Sequence, residues 1–418
     1  MLIIITILVL LVLFFTPEFI MLYASGFKGN ELSLAVTFTR ISVMGMYFTG
    51  IIYILKSYLH MKNHFFIPAF LGIPLNFVAI ISYYLASKSD DRILALGIFI
   101  AAVVQFLVIM PAVIKAGLEY KFFVDFKDKY LREILIFAIP VFIGVSVNQI
   151  GVLVDKNIAS NIIEGGISSL SYAKKLNGFV QGLFVAPIIT VIYPSISKFA
   201  INGDIGKLKK TVYESLVSIS IVVIPATVGA MVLSLPIVEL VFLRGRFDLN
   251  AAILTATALK YYSLGMLVYA FRDIFARVFY SYNDTRTPMI NAGITVLVDI
   301  VLNVILSRLM GIGGLALSTS LSAVLSAFLL AKSLKKKIPS LTFIEPMKSI
   351  VKLLFASGIM GAAALLSFYT LDNVLTQNVA LVLSIGLSAL IYIALVLLMK
   401  IPEAASLISF FTSRFKRK

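Results

Sequence analysis

Apolar stretches of about 20 residues follow one another along almost the whole chain, the length an α-helix needs to cross the hydrocarbon core of a bilayer. In hydrocarbon every backbone N–H and C=O must find its partner within the protein, so only helices and closed barrels can span it. The alternating apolar and polar pattern of barrel strands is absent, and Gly and Pro sit inside the apolar runs as membrane helices tolerate. The expectation is an all-α, polytopic membrane protein. Composition agrees, because 60% hydrophobic residues against 13% charged is more apolar surface than a soluble core of 418 residues hides. Spans are predicted near residues 2–24, 35–60, 66–87, 92–117, 133–160, 168–197, 211–243, 254–281, 286–309, 313–334, 347–369 and 378–400.

Cytoplasmic loops of membrane proteins collect Lys and Arg. One alternate set of loops holds Lys56 and Lys62, then Lys115 to Arg132, Lys198 to Lys210, Arg277 and Arg286, Lys332 to Lys337, and Arg414 to Lys418. The other set holds only Lys28, Lys88, Arg92, Arg244 and Arg246. This predicts a cytoplasmic C-terminus. The net charge of +16 is then a property of the inner loops and not a nucleic-acid footprint.

Residues 27 to 68 reappear without a gap at residues 247 to 288. Phe27/Phe247, Asn30/Asn250, Thr37/Thr257, Gly45/Gly265, Met46/Met266, Ile54/Ile274, Asn63/Asn283 and Pro68/Pro288 coincide, and Arg40/Lys260 is a conservative pair. The chain therefore reads as a duplication. Six helices separate equivalent points, so the copies share an orientation and are expected as two pseudo-symmetric six-helix lobes facing a central cavity. The predicted domains are residues 1–118, a first lobe truncated to four helices; 119–132, a basic amphipathic linker; 133–335, a complete second lobe; and 336–418, a C-terminal helix pair with a basic tail. On this count the first two helices of the first lobe are missing ahead of Met1.

With no cysteine, disulfides, thiolate metal sites and thiol nucleophiles are excluded. His60 and His64 have the i, i+4 spacing of a metal pair but lie in a basic polar turn and read as solvated. No Ser-His-Asp order, P-loop or Rossmann fingerprint is present, so no enzyme activity and no cofactor is expected.

A charge at the centre of a membrane helix costs about 2.5–3.5 kcal/mol, which makes intramembrane polar residues the functional candidates. Lys174 and Lys175 lie in SSLSYAKKLNGF with Ser168, Tyr172 and Asn177. Two readings stand: snorkelling to the outer interface, or a positive cavity for an anionic headgroup, since Lys binds phosphate as a point charge. On the preceding span Asn148, Gln149, Asp155 and Lys156 are polar, and the Asp155-Lys156 pair fits structural pairing as well as ligand contact. Asp299 and Asn303 share a helix face, with Thr319 on the next span. Their hard oxygens could hold Na⁺ or relay a proton, or could simply join helices. Arg40, Arg272 and Arg277 flank or interrupt the repeated helices, as cavity cations or interface anchors. In GIGGLALSTSLSA (Gly311 to Ala323) small residues favour close helix packing over a phosphate loop.

LVFLRGRFD (Leu240 to Asp248), SISKFA (Ser195 to Ala200), the glycine-rich stretch and above all FARVFYSYNDTRTPM (Phe275 to Met289), which includes Arg277, Asp284, Thr285, Arg286 and Pro288, resemble the MurJ/MviN lipid II flippases of the multidrug/oligosaccharidyl-lipid/polysaccharide exporter superfamily. The resemblance covers essentially the whole chain. It implies fourteen helices, two six-helix lobes around a cationic cavity, and a final helix pair forming a groove for the polyprenyl tail. The family's important cavity arginines lie on its first two helices, and where it often has an acid or amide followed by Arg this sequence has Lys174 and Lys175.

The function so implied is outward flipping of an undecaprenyl-pyrophosphate-linked peptidoglycan precursor by alternating access, assisted by membrane potential, with Na⁺ or H⁺ coupling as the further option. Lipid II or a similar polyprenyl-pyrophosphate glycan, the bilayer and the cell-wall synthesis machinery are the expected partners, without nucleic acid. Alternatives are a flippase for O-antigen or teichuronic-type lipid-linked glycans, a cation-coupled multidrug antiporter, and a non-transporting scaffold.

Overall fold

The computed structural model describes residues 2–118 and 129–401; the side chains of residues 129–141, 143–145 and 148 fall outside the described set. Most of the predicted linker, residues 119–128, therefore lies outside the described residues, as does the side chain of Asn148. Helices account for the described chain, which divides into two units, Met1–Ile139 and Pro140–Lys418. Among the described residues eight helices are long and apolar enough to cross a membrane, or eleven when three bent pairs each count as one span.

The first unit contains α1 (Leu2–Phe14), α2 (Thr16–Tyr23), α3 (Gly29–Ser42), α4 (Gly45–Met61), α5 (Phe66–Phe70), α6 (Gly72–Ala86) and α7 (Arg92–Lys115). The single span expected over residues 2–24 is bent by 80° between α1 and α2. Pro17 cannot donate to the carbonyl of Leu13 and its ring crowds it, so the helix breaks there. The Thr16 hydroxyl donates to the freed region, reaching Val12 O at 2.6 Å and Leu13 O at 3.1 Å. Ile52, Leu55, Leu59, Leu71, Ile109 and Val113 form the unit's buried core, and Gln105 Nε2 donates to Leu71 O at the α5–α6 break, 2.8 Å.

The second unit contains most of α8 (Lys129–Ile162), then α9 (Gly166–Val180), a π-helical turn (Gln181–Val185), α10 (Ala186–Ile201), α11 (Ile205–Val232), α12 (Ser234–Phe242), α13 (Leu249–Leu264), α14 (Met266–Ser281), α15 (Arg286–Met310), α16 (Ile312–Lys337), α17 (Ile344–Asp372) and α18 (Gln377–Leu398). The π turn interrupts the span expected over 168–197 just ahead of Pro187, whose ring would otherwise meet the carbonyl of Leu183. α17 packs along α11, with Ile350, Leu353 and Ala356 buried against Val217 and Ile224. Tyr392 OH on α18 donates to Ile221 O at 2.7 Å.

The repeat holds element by element at the offset read from the sequence. α3 and α4 meet at 42°, α13 and α14 at 43°, and the bends fall at Gly45 and Gly265. Both following turns close on an Asn in the left-handed region, Asn63 at φ 62° and Asn283 at φ 55°. Each has the same backbone bonds, His64 N to Leu59 O at 2.8 Å and Asp284 N to Phe279 O at 3.0 Å.

Small residues let α16 approach its neighbours. A Cβ on Gly314 would fall 2.0 Å from Leu306 O, so the glycine-rich stretch is a packing surface. Leu297, Val301, Phe328 and Leu390 instead point outward and are well exposed, where acyl chains would solvate them.

Candidate functional site

α8, α15 and α16 bring polar side chains to one buried point in the second unit. Asn303, fully buried, donates from Nδ2 to Asp155 Oδ1 at 2.6 Å and to Asp299 Oδ2 at 3.4 Å, while its Oδ1 accepts from the Ser318 hydroxyl. Asp299 and Asn303 share a face by their i, i+4 spacing, as Ser318 and Ser322 do on α16. Asp299 Oδ1 and Ser322 Oγ are both buried and without a hydrogen-bond partner. Thr319 turns its hydroxyl back to Leu315 O at 3.0 Å, and its own carbonyl accepts from Tyr269 OH at 3.4 Å. Two carboxylates, an amide and hydroxyls in a low-dielectric space are chemistry for a small hard cation or a proton.

Lys174 and Lys175 serve different neighbourhoods, as residues about 100° apart on a helix should. Both are exposed on α9. Lys174 is close enough to Asp155 and Asp299 for its charge to act on both. The Lys175 ammonium sits over the ring of Tyr172 at 5.4 Å. Ser168 is exposed in the first turn of α9, Gln149 is exposed on α8, and Lys156 is half-buried there.

Asn177 is buried and works on the backbone. Its Nδ2 donates to Tyr262 O at 3.0 Å, Gln181 Nε2 donates to Met266 O at 2.8 Å, and Ser320 Oγ donates to Tyr261 O at 2.7 Å. These side chains come from α9, the π turn and α16 and bond carbonyls around the α13–α14 bend, where Tyr262 O also accepts from Gly265 N at 3.1 Å. Gln181, Ser318, Ser320 and Ser322 are the polar residues that reasoning from sequence passed over. The i, i+4 spacing of Ser318 and Ser322 was the available signal.

Arg272 pairs with its neighbour Asp273 at 2.8 Å and stacks on Tyr269 at 5.0 Å. Arg277 lies over Tyr193 at 5.1 Å, and Arg40 is exposed near the end of α3 in the first unit. In the DTRTP turn Asp284 accepts from Thr287 N and Thr287 Oγ1, each at 3.0 Å, and from Lys337 Nζ at 3.2 Å. Lys337 also covers Tyr282 at 4.9 Å. Thr285 and Arg286 are exposed and Pro288 is buried, so this motif is a joint between α14, α15 and the end of α16.

A sequence model of the family described as lipid II flippase MurJ matches residues 1–389. The probable lipid II flippase MurJ of Vibrio cholerae is 31% identical over 382 residues, covering 90% of this chain and 73% of that protein. The protein of the same description from Haemophilus influenzae is 32% identical over 349 residues, covering 81% and 67%. A solved structure described as lipid II flippase MurJ in an inward closed conformation superposes with a TM-score of 0.81 at 28% identity, over 94% of this chain and 80% of that one. An inward-facing multidrug resistance MATE family transporter of the MOP superfamily shares the fold, with a TM-score of 0.68 at 15% identity over 81% and 79% of the two chains. With the family model matched over residues 1–389 and a relative 31% identical across 90% of the chain, this chain belongs to the MurJ family of lipid II flippases.

Proposed function

We infer that the chain moves lipid II from the inner to the outer leaflet of the bacterial plasma membrane by alternating access, without covalent chemistry. The family match along residues 1–389 carries this reading, supported by Lys174 and Lys175 exposed on α9, where an anionic headgroup would offset the cost of about 2.5–3.5 kcal/mol that a charge at the centre of a membrane helix carries. An interior-negative potential favours outward passage of the pyrophosphate by about 2.3 kcal/mol per charge per 100 mV. The C-terminus is cytoplasmic in this reading, and the cell-wall synthesis machinery receives the flipped precursor.

Asp155, Asp299, Asn303 and Thr319 are proposed as the coupling site for Na⁺ or a proton. Their relation to Lys174 gives the coupling a physical form. When the headgroup phosphate engages Lys174, the two carboxylates feel less of its positive charge and gain affinity for another cation.

The test is outer-leaflet accessibility of lipid II in cells depleted of their own flippase and expressing the K174Q/K175Q variant. Accessibility is expected to fall at least about tenfold, the equivalent of one lost charge-assisted contact. Unchanged exposure at equal membrane abundance would remove these lysines from the mechanism.

A further inference from the structure

The loop joining α12 to α13 carries two arginines for which the fold has no use. Arg244 and Arg246 flank Gly245, which is at φ 63°, and both are exposed. They lie in the loop set that membrane insertion depletes of Lys and Arg. The other basic residues of that set's second loop are compensated locally: Lys88 Nζ donates to Tyr84 OH at 2.5 Å and sits 4.4 Å from its ring, and Arg92 is 4.0 Å from Asp90. Among the described residues Arg244 and Arg246 make no ion pair and no ring contact.

The acids of α12 and of the same loop are committed elsewhere. The Asp248 carboxylate accepts from Ala251 N at 2.8 Å and caps α13, and Glu239 Oε2 accepts from Gln377 Nε2. Glu164, exposed in the α8–α9 turn, has no such task. The repeat shows that the turn does not need the arginines. At the equivalent positions of the first copy stand Ala24 and Gly26, whereas Phe27 and Asn30 match Phe247 and Asn250.

Beside the arginines is an aromatic platform. Tyr172 packs on Phe242 at 4.7 Å and on Phe247 at 5.4 Å, with Phe242 and Phe247 5.7 Å apart. Lys175 covers the Tyr172 ring from α9, and Arg244 and Arg246 lie in the chain between Phe242 and Phe247 of the same platform. Cations bordering aromatic rings suit a phosphate attached to an amphipathic body, because guanidinium groups grip phosphate oxygens bidentately and the rings take apolar contact.

We propose that Arg244, Arg246 and Lys175, around the Tyr172–Phe242–Phe247 platform, form an outer-rim site for a lipid-borne phosphate or pyrophosphate, which receives the cargo headgroup as it leaves the membrane. Its role in release rests on the flippase reading, while its chemistry does not. Lys175 lies over the Tyr172 ring of this platform, while its neighbour Lys174 is turned about 100° around α9.

The test uses the full chain in phosphatidylcholine nanodiscs, in a K174Q background so that binding at Lys174 does not mask the result. Undecaprenyl pyrophosphate is titrated against that background and against the same protein carrying R244Q/R246Q, with native mass spectrometry as the readout. Affinity is expected to weaken about tenfold or more on losing both guanidinium groups. R244K/R246K, which keeps charge but not the bidentate grip, should fall between. A parallel arm replaces part of the phosphatidylcholine with phosphatidylglycerol. Unchanged affinity for undecaprenyl pyrophosphate together with loss of bound phosphatidylglycerol in R244Q/R246Q would overturn the cargo role and assign the site to the bilayer's own lipid. No difference between the two proteins for either lipid would overturn the site altogether. A wild-type chain that binds pyrophosphate through these arginines yet translocates no lipid II would sink the flippase reading and leave the site standing.

Discussion

Asn303 commits its whole amide to neighbours on three helices, giving both carboxylates a shared donor and Ser318 an acceptor. N303L would leave Asp155 and the Ser318 hydroxyl buried without that partner. It is expected to lower stability by about 1–3 kcal/mol, a range bounded below by the modest worth of interhelical bonds in membranes. Thermal unfolding in detergent measures this, and a melting temperature equal to wild type would contradict it. Asp284 behaves differently because it lies outside the membrane spans. The Thr287 backbone N–H, followed by Lys337, holds its carboxyl below the ordinary value of 3.8. A depressed acid contributes stability that is fully present above the unfolded value and is lost as pH falls through the folded one. The wild-type advantage over D284N should therefore stand at neutral pH and shrink below pH 3.8, read as the difference of their melting temperatures. The residue types at both positions were legible in the sequence, but their partners Ser318 and Lys337 were not, since nothing local marks them.

At the scale of elements, the governing feature is the bend that interrupts each copy's repeated helix. Gly265 is required there because a Cβ would come 2.9 Å from Ser320 Oγ, 3.1 Å from Ser320 Cα and 3.2 Å from the Tyr269 ring. G265A is expected to cost about 1–3 kcal/mol by overpacking. The same change at Gly293, whose Cβ would meet nothing within 4 Å, should be neutral or stabilising by up to about 1 kcal/mol from helix propensity. Equal unfolding midpoints for the two variants would show that the joint is not tight. The repeat marks the paired glycines, yet hydropathy along the chain reads each bent pair as one continuous span. The bend could not be read there because Asn177, Gln181 and Ser320 arrive from other elements to satisfy its carbonyls, and without them the break would be too costly in hydrocarbon.

At the scale of the whole molecule, the inner and outer loop sets give a topology that can be measured directly. Because the chain has no cysteine, a single one can be introduced at will. A cysteine at Asn373, exposed in the α17–α18 turn, is expected to react with an impermeant maleimide in intact cells. One at Ser340, exposed between α16 and α17, should react only after permeabilisation. The reverse pattern would invert the orientation, and with it the sense in which membrane potential assists the pyrophosphate.

Sequence by itself determined the solvent, the spans, the duplication and which charges need explaining, because hydropathy, loop charge and periodicity are local quantities that a bilayer reads along one axis. Tertiary structure decided which distant groups meet. Asp155 and Asn303 are separated by 148 positions, and only the packing of α8 against α15 makes them neighbours. It also decided where helices break and that Lys175 lies over the Tyr172 ring. Those outcomes depend on side chains supplied by other helices, and no property of a single segment encodes them.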